Sequence, residues 1–208
     1  MCKFAPKGNF PGVDATDVSS DVRPFHRFAR WYDAAMPGVD ADALRSAIDL
    51  ADRPVRRGLD VAGGTGRAAA GLPEVEWTVV DAAEGMLTRA TGRGIAAVRG
   101  DAARLPVRDS SVDAVVVVDA LHHVGDQRAA VREAYRVLRP GGVLAIADFD
   151  PKTVRGRVVA AAERAVGFGS TFREPTALSA DLRRAGFSTL VPEPGFAYVV
   201  SGVKPSDG

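Results

Sequence analysis

Cysteine is nearly absent from this 208-residue chain. Cys2 is the single instance, which excludes an internal disulfide and a thiolate metal cluster. No apolar run reaches membrane-spanning length, and the first residues lack the uninterrupted apolar stretch of a secretory signal. The expectation is therefore a cytoplasmic protein without stable membrane insertion. Basic residues are not concentrated in any block: 27 Lys and Arg stand against 26 Asp and Glu, for a net charge of +1. That balance argues against a nucleic-acid partner. With 46% apolar and 25% charged residues, the rest is ordinary for one globular domain with a full core.

Residues 1–22, rich in Gly, Pro, Asp and Ser, read as a flexible arm. Residues 23–54 read as an N-terminal helical cap, with one helix over 24–36 and another over 40–51 that Pro54 ends. In the first, helical spacing puts Phe25, Phe28 and Tyr32 on one stripe. Residues 55–204 form the core, and 205–208 a short tail. In the core, apolar strands at 58–62, 77–81, 95–99, 112–119 and 143–148 alternate with helices at 67–71, 85–91 and 127–138. Alternation of this kind predicts an α/β fold with a parallel sheet covered on both faces. Arg139-Pro140-Gly141-Gly142 reads as a stop and a turn. Two further helices, at 154–166 and 177–185, precede strands at 189–191 and 196–203. Only Glu193-Pro194-Gly195 separates that last pair, too little for a crossover, so they form an antiparallel hairpin.

The chemistry-bearing residues fall at the ends of these strands. Gly63, Gly64 and Gly66 sit where the first strand turns into a helix, where unusual backbone angles and free N–H groups favour close approach of a ligand. Asp81, ending the second strand, suits the two hydroxyls of a ribose, although it could instead cap the following helix. Asp60 precedes the glycines and either orders their loop or meets a ligand ammonium. Asp101 ends the third strand and can accept from an adenine amino group. After the fourth strand come Asp119-Ala120-Leu121-His122-His123, where groups face a reacting atom. Two adjacent histidines without a third ligand at recognisable spacing give no metal site. Either could orient or deprotonate an acceptor hydroxyl, or simply hold loop backbone.

Taken in order, these segments resemble the class I S-adenosylmethionine-dependent methyltransferases, in the group of the menaquinone and ubiquinone C-methylases and small-molecule methylases. The matching stretches are Leu59-Asp60-Val61-Ala62-Gly63-Gly64-Thr65-Gly66, Val80-Asp81-Ala82-Ala83-Glu84-Gly85-Met86-Leu87 and Gly100-Asp101-Ala102-Ala103-Arg104-Leu105-Pro106-Val107. Ser111-Val112-Asp113-Ala114-Val115 and Val137-Leu138-Arg139-Pro140-Gly141-Gly142 complete the set. The resemblance implies a Rossmann-like three-layer sandwich on a mostly parallel seven-stranded sheet with an antiparallel C-terminal hairpin. It also implies S-adenosyl-L-methionine as cofactor. Asp60 and the glycines would hold its methionine part, Asp81 its ribose, and Ala82, Asp101 and Ala102 its adenine. Tyr32, Ala62, Met86, Asp119 and Leu121 would complete the contacts, with His122 and His123 at the methyl-transfer point. Two departures stand out: Ala62 occupies a position where the family has glycine, and the helix after the loop is cut short by Gly71-Leu72-Pro73.

The expected reaction is methyl transfer to a small apolar or aromatic acceptor, quinone-like and bearing some negative charge, by a monomer or homodimer. The glycine pattern with Asp81 also fits an NAD(P)-dependent oxidoreductase, although no Tyr-x-x-x-Lys pair accompanies it. A non-catalytic cofactor-binding module and a methylase of macromolecules are the other readings.

Overall fold

The computed structural model describes residues 40–165, 169–190 and 195–206. The arm over 1–22, the aromatic helix over 24–36 and Tyr32 lie outside those residues. Helix α1 (Ala41–Ile48) begins where the Asp40 carboxylate accepts from the Ala43 amide at 2.9 Å. It closes at Asp49, whose N–H donates to the Arg45 carbonyl, so the helix stops ahead of Pro54 rather than because of it. Leu44, Ala47 and Ile48 form its buried face.

The sheet is built from β1 (Arg57–Val61), β2 (Glu76–Asp81), β3 (Ala96–Arg99), β4 (Val112–Val118), β5 (Leu138–Phe149), β6 (Ser188–Leu190) and β7 (Ala197–Val203). Their order is β3-β2-β1-β4-β5-β7-β6. The first five run parallel, while β7 pairs antiparallel with both β5 and β6, as the short connection requires. Helices α2 (Arg67–Gly71), α3 (Glu84–Gly92), α4 (Gln127–Val137), α5 (Val154–Ala165) and α6 (Pro175–Arg184) connect the strands. The β4 side chains alternate between two cores. Val115 and Val117 join α4 and α6 on one face, and Ala114 and Val116 join α1, α2 and α3 on the other. Because every residue from Val112 to Val117 is buried, an unbroken β-branched run forms a central strand.

One expected turn is instead part of a strand. Arg139 to Gly142 continue from Leu138 into β5, and the register with β4 slips between Val112 and Ala114 to absorb the extra residues. Gly141 takes a φ of 77°, and Gly141 and Gly142 pair with Lys204 through both backbone groups at 2.8 Å. A β-carbon at Gly142 would lie 2.9 Å from two carbonyl oxygens, so the glycine pair permits the bulge.

Below the sheet, away from the strand ends that carry the site, Asp113 is a buried hub. Its carboxylate accepts from the Arg56 and Arg57 amides, both at 3.1 Å, and pairs with Arg139 at 2.9 Å and Arg53 at 3.0 Å. Burial alone would raise its pKa, but those hydrogen bonds outweigh it and hold the group below the ordinary carboxylate range. Asp113→Ala leaves two amides and Arg139 without their acceptor and Arg53 without its counter-charge. It is expected to cost about 3–5 kcal/mol of unfolding free energy, read by urea titration.

Candidate active site

The chain visits β1, β2 and β3 on one side and then crosses to β4, so the carboxyl ends of β1 and β4 flank a crevice of the kind in which open α/β sheets bind ligands. Asp60 sits at the end of β1, fully buried. Its Oδ2 accepts from the Ala69 amide at 3.3 Å, and its Oδ1 has no partner among the described residues. Burial dominates here and pushes its pKa up to about 7; the Ala69 amide and Arg67 pull the other way.

The loop lies directly on this carboxylate. A β-carbon at Gly63 would fall 2.3 Å from the Asp60 carboxyl carbon, which explains why glycine stands there. Ala62 adopts a φ of 52°, so the departure from glycine stores left-handed strain in a residue with a β-carbon, at about 1–2 kcal/mol. Gly66, at φ 76°, opens α2, and the helix ends at Gly71 after little more than one turn.

Asp81 makes two contacts within the fold, and one of them is the helix-start role considered for it. Its Oδ1 accepts from the Ala83 amide at 2.7 Å, fixing the entry to α3, and its Oδ2 accepts from the Gly64 amide at 2.9 Å. The same carboxylate therefore fastens the glycine loop to β2, and it remains half-buried. Met86 is buried, with its sulfur 3.9 Å from the β-carbon position of Gly64. Ala82 is half-buried next to Asp81. Asp101 is exposed and accepts from the Ala103 amide at 2.8 Å, while Ala102 and Leu121 direct their side chains into the apolar core.

Past β4, Asp119 takes a φ of 49° and keeps its pKa raised, first by burial and then by the charge of Asp148. His122 follows in a single 3-10 turn (Leu121–His123) and is almost completely buried. Its Nδ1 lies 2.8 and 3.0 Å from the two oxygens of Asp148, and its Nε2 lies 3.5 Å from Glu163 Oε1 on α5. Phe172 stacks on the ring at 4.2 Å. Burial opposes the imidazolium, but the bonds to Asp148 and Glu163 outweigh it and push the pKa up to about 9. His122 is thus the centre of an ion-pair cluster. His123 is half-buried and shares a 3.3 Å contact with the Ser170 hydroxyl.

The sequence reading did not single out Asp148, Glu163, Ser170 or Phe172. Asp148 carried a usable signal, since it ends β5 as Asp81 ends β2. Glu163 had none: it is one charge among several on a largely exposed helix.

With this geometry in place, residues 59–146 match a family model described as a methyltransferase domain. A solved S-adenosylmethionine-dependent methyltransferase from Thermotoga maritima, described as a possible histamine N-methyltransferase, superposes with a TM-score of 0.73 at 28% identity. The match covers 88% of this chain and 99% of that one. The fold is that of the class I S-adenosylmethionine-dependent methyltransferases. Within that fold, two protein relatives are also similar in sequence. The demethylmenaquinone methyltransferase of Beutenbergia cavernae is 39% identical over 141 residues, 65% of this chain. The ubiquinone/menaquinone biosynthesis C-methyltransferase of Methylobacterium nodulans is 40% identical over 152 residues, 64% of this chain. The chain spans 58% and 60% of the lengths of these two relatives. No helix among the described residues is long and apolar enough to cross a membrane.

Proposed function

We propose that the chain binds S-adenosylmethionine at the carboxyl ends of β1, β2 and β4 and transfers its methyl group to a small apolar or aromatic acceptor. The observation that carries this reading is the Asp60 carboxylate: buried, lying directly under Gly63, and with one oxygen lacking a partner among the described residues. A buried carboxylate oxygen without a donor suits the ammonium of the cofactor's methionine moiety. Asp81 would take the ribose hydroxyls, and the Asp101-Ala102 backbone the adenine edge. Once bound, the cofactor supplies a methyl carbon already activated by its sulfonium.

The protein's own task is then to hold an acceptor atom in line and keep water out. Asp119, His122 and His123 border the place where that atom would sit, and His123 is the more exposed of the two rings for orienting an acceptor hydroxyl or carrying its proton. The names of the two relatives favour a quinone-like ring. Asp119, Asp148 and Glu163 ring the same place with carboxylates, which favours a neutral acceptor over an anionic one. A small molecule, rather than nucleic acid, is the partner this reading implies, without stable membrane insertion and with the chain acting alone or as a homodimer.

Calorimetric titration with S-adenosylmethionine, S-adenosylhomocysteine and NAD tests the binding half. The two sulfur compounds should bind one per chain and NAD should not; NAD binding without either of them sinks the reading. Incubation with a demethylated prenyl-naphthoquinol and mass spectrometry for one added methyl group tests the acceptor half.

A further inference from the structure

We propose that His122, His123 and Glu163 form a binding site for a divalent transition ion of the zinc type. One donor atom from each of the three residues lies within 4.8 Å of the other two. Two imidazoles and one carboxylate are a donor set suited to zinc, cobalt or manganese rather than magnesium, leaving a position for water or an oxygen ligand. Bonds of about 2.1 Å in tetrahedral geometry put neighbouring donors about 3.4 Å apart. His122 Nε2 and Glu163 Oε1 are 3.5 Å apart.

The surroundings are those of metal-bound histidines. Asp148 takes the Nδ1 side of His122 with both oxygens, which fixes the ring and leaves Nε2 turned to Glu163. A carboxylate behind a histidine in this way orients the ring and strengthens it as a ligand. Ser170 sits against His123 Nδ1, and the Thr171 amide donates to the His122 carbonyl at 2.8 Å, so Ser170 and Thr171 are fastened to the histidine turn. Glu163 Oε2 is buried without a hydrogen-bond partner among the described residues. His122 and the Ser170 side chain both bear on the Glu163 carboxylate without giving Oε2 a well-formed hydrogen bond, whereas a cation between the three residues uses the carboxylate as a whole. The third ligand was invisible in the sequence because it arrives from the helix that follows β5, far from the histidines along the chain.

The site is argued from its own geometry and does not depend on the methyl-transfer reading. Titration of the full-length chain with cobalt(II) chloride, without cofactor or acceptor, therefore tests it separately. The expected result is one cobalt per chain with the strong visible absorption of a four- or five-coordinate ion, displaced by zinc chloride. Glu163→Gln and His123→Ala should each weaken binding at least 100-fold, and Asp148→Asn about 10–100-fold. Thermal melting of the metal-free variants checks that they fold. Glu163→Gln, on the largely exposed α5, serves if the histidine variant does not. Absence of saturable one-to-one uptake overturns the site, as does equal cobalt affinity in the wild type and Glu163→Gln.

Discussion

Asp81→Ala is expected to weaken S-adenosylmethionine binding by about 100-fold or more, because one carboxylate does two jobs that fail together. It fastens the Gly64 amide at 2.9 Å and the Ala83 amide at 2.7 Å, so without it the glycine loop and the first turn of α3 lose their common anchor. On the proposed binding mode, the ribose hydroxyls would lose their acceptor as well. Hydrogen bonds to a charged group contribute about 1.5–3 kcal/mol each, so the loss of even two of these reaches the stated effect. Asp81→Asn gives a sharper test. Both carboxylate oxygens now accept from backbone amides, and an Asn side chain must turn its NH2 group toward one of those donors. Asn should therefore do no better than Ala despite its shape. Calorimetry of both variants against S-adenosylhomocysteine reads the result; affinities within threefold of wild type would remove Asp81 from the site.

Asp60→Asn is expected to act in opposite directions on stability and on binding. Burial raises the Asp60 pKa from 3.8 to about 7. A carboxyl raised in this way contributes stability that is fully present below pH 3.8 and is lost as pH rises through 7, because the unfolded chain ionises first. Above that range the cofactor-free protein carries a buried charge at a cost on the order of 4 kcal/mol. The amide does not titrate, so Asp60→Asn should melt higher than wild type at pH 8 and lose that advantage by pH 4. The same substitution removes the counter-charge for the methionine ammonium, and cofactor affinity should fall by about 30-fold. Wild-type binding should tighten as pH rises through 7, while the variant's profile stays flat. A variant that melts lower at pH 8 and binds normally would show that Asp60 only holds the loop.

Site residues read most directly from the sequence are those whose role is local. The spacing of Gly63, Gly64 and Gly66 after a strand marks a backbone turn, and backbone angles follow from a few neighbouring residues. Asp81 was equally legible, because a carboxylate at the end of a parallel strand has few places to point. The Arg139-Gly142 stretch was misread for the same reason. Pro-Gly-Gly predicts a turn locally, but pairing with Lys204, just past the end of β7, drew it into β5 as a bulge. Pro54 likewise looked like a helix stop, although the helix had already ended at Asp49.

By itself, the sequence determined the alternation of strand and helix and the antiparallel ending, since each depends on periodicity or on a short connection. Only the tertiary structure decided the company that the histidines keep. Asp148 and Glu163 reach His122 from β5 and α5, and their distances to it depend on how the sheet and that helix pack. Burial raises the Asp60 pKa, and at His122 the bonds to Asp148 and Glu163 overcome burial and raise it as well; burial and such long-range contacts are properties of the packed fold that no segment carries alone.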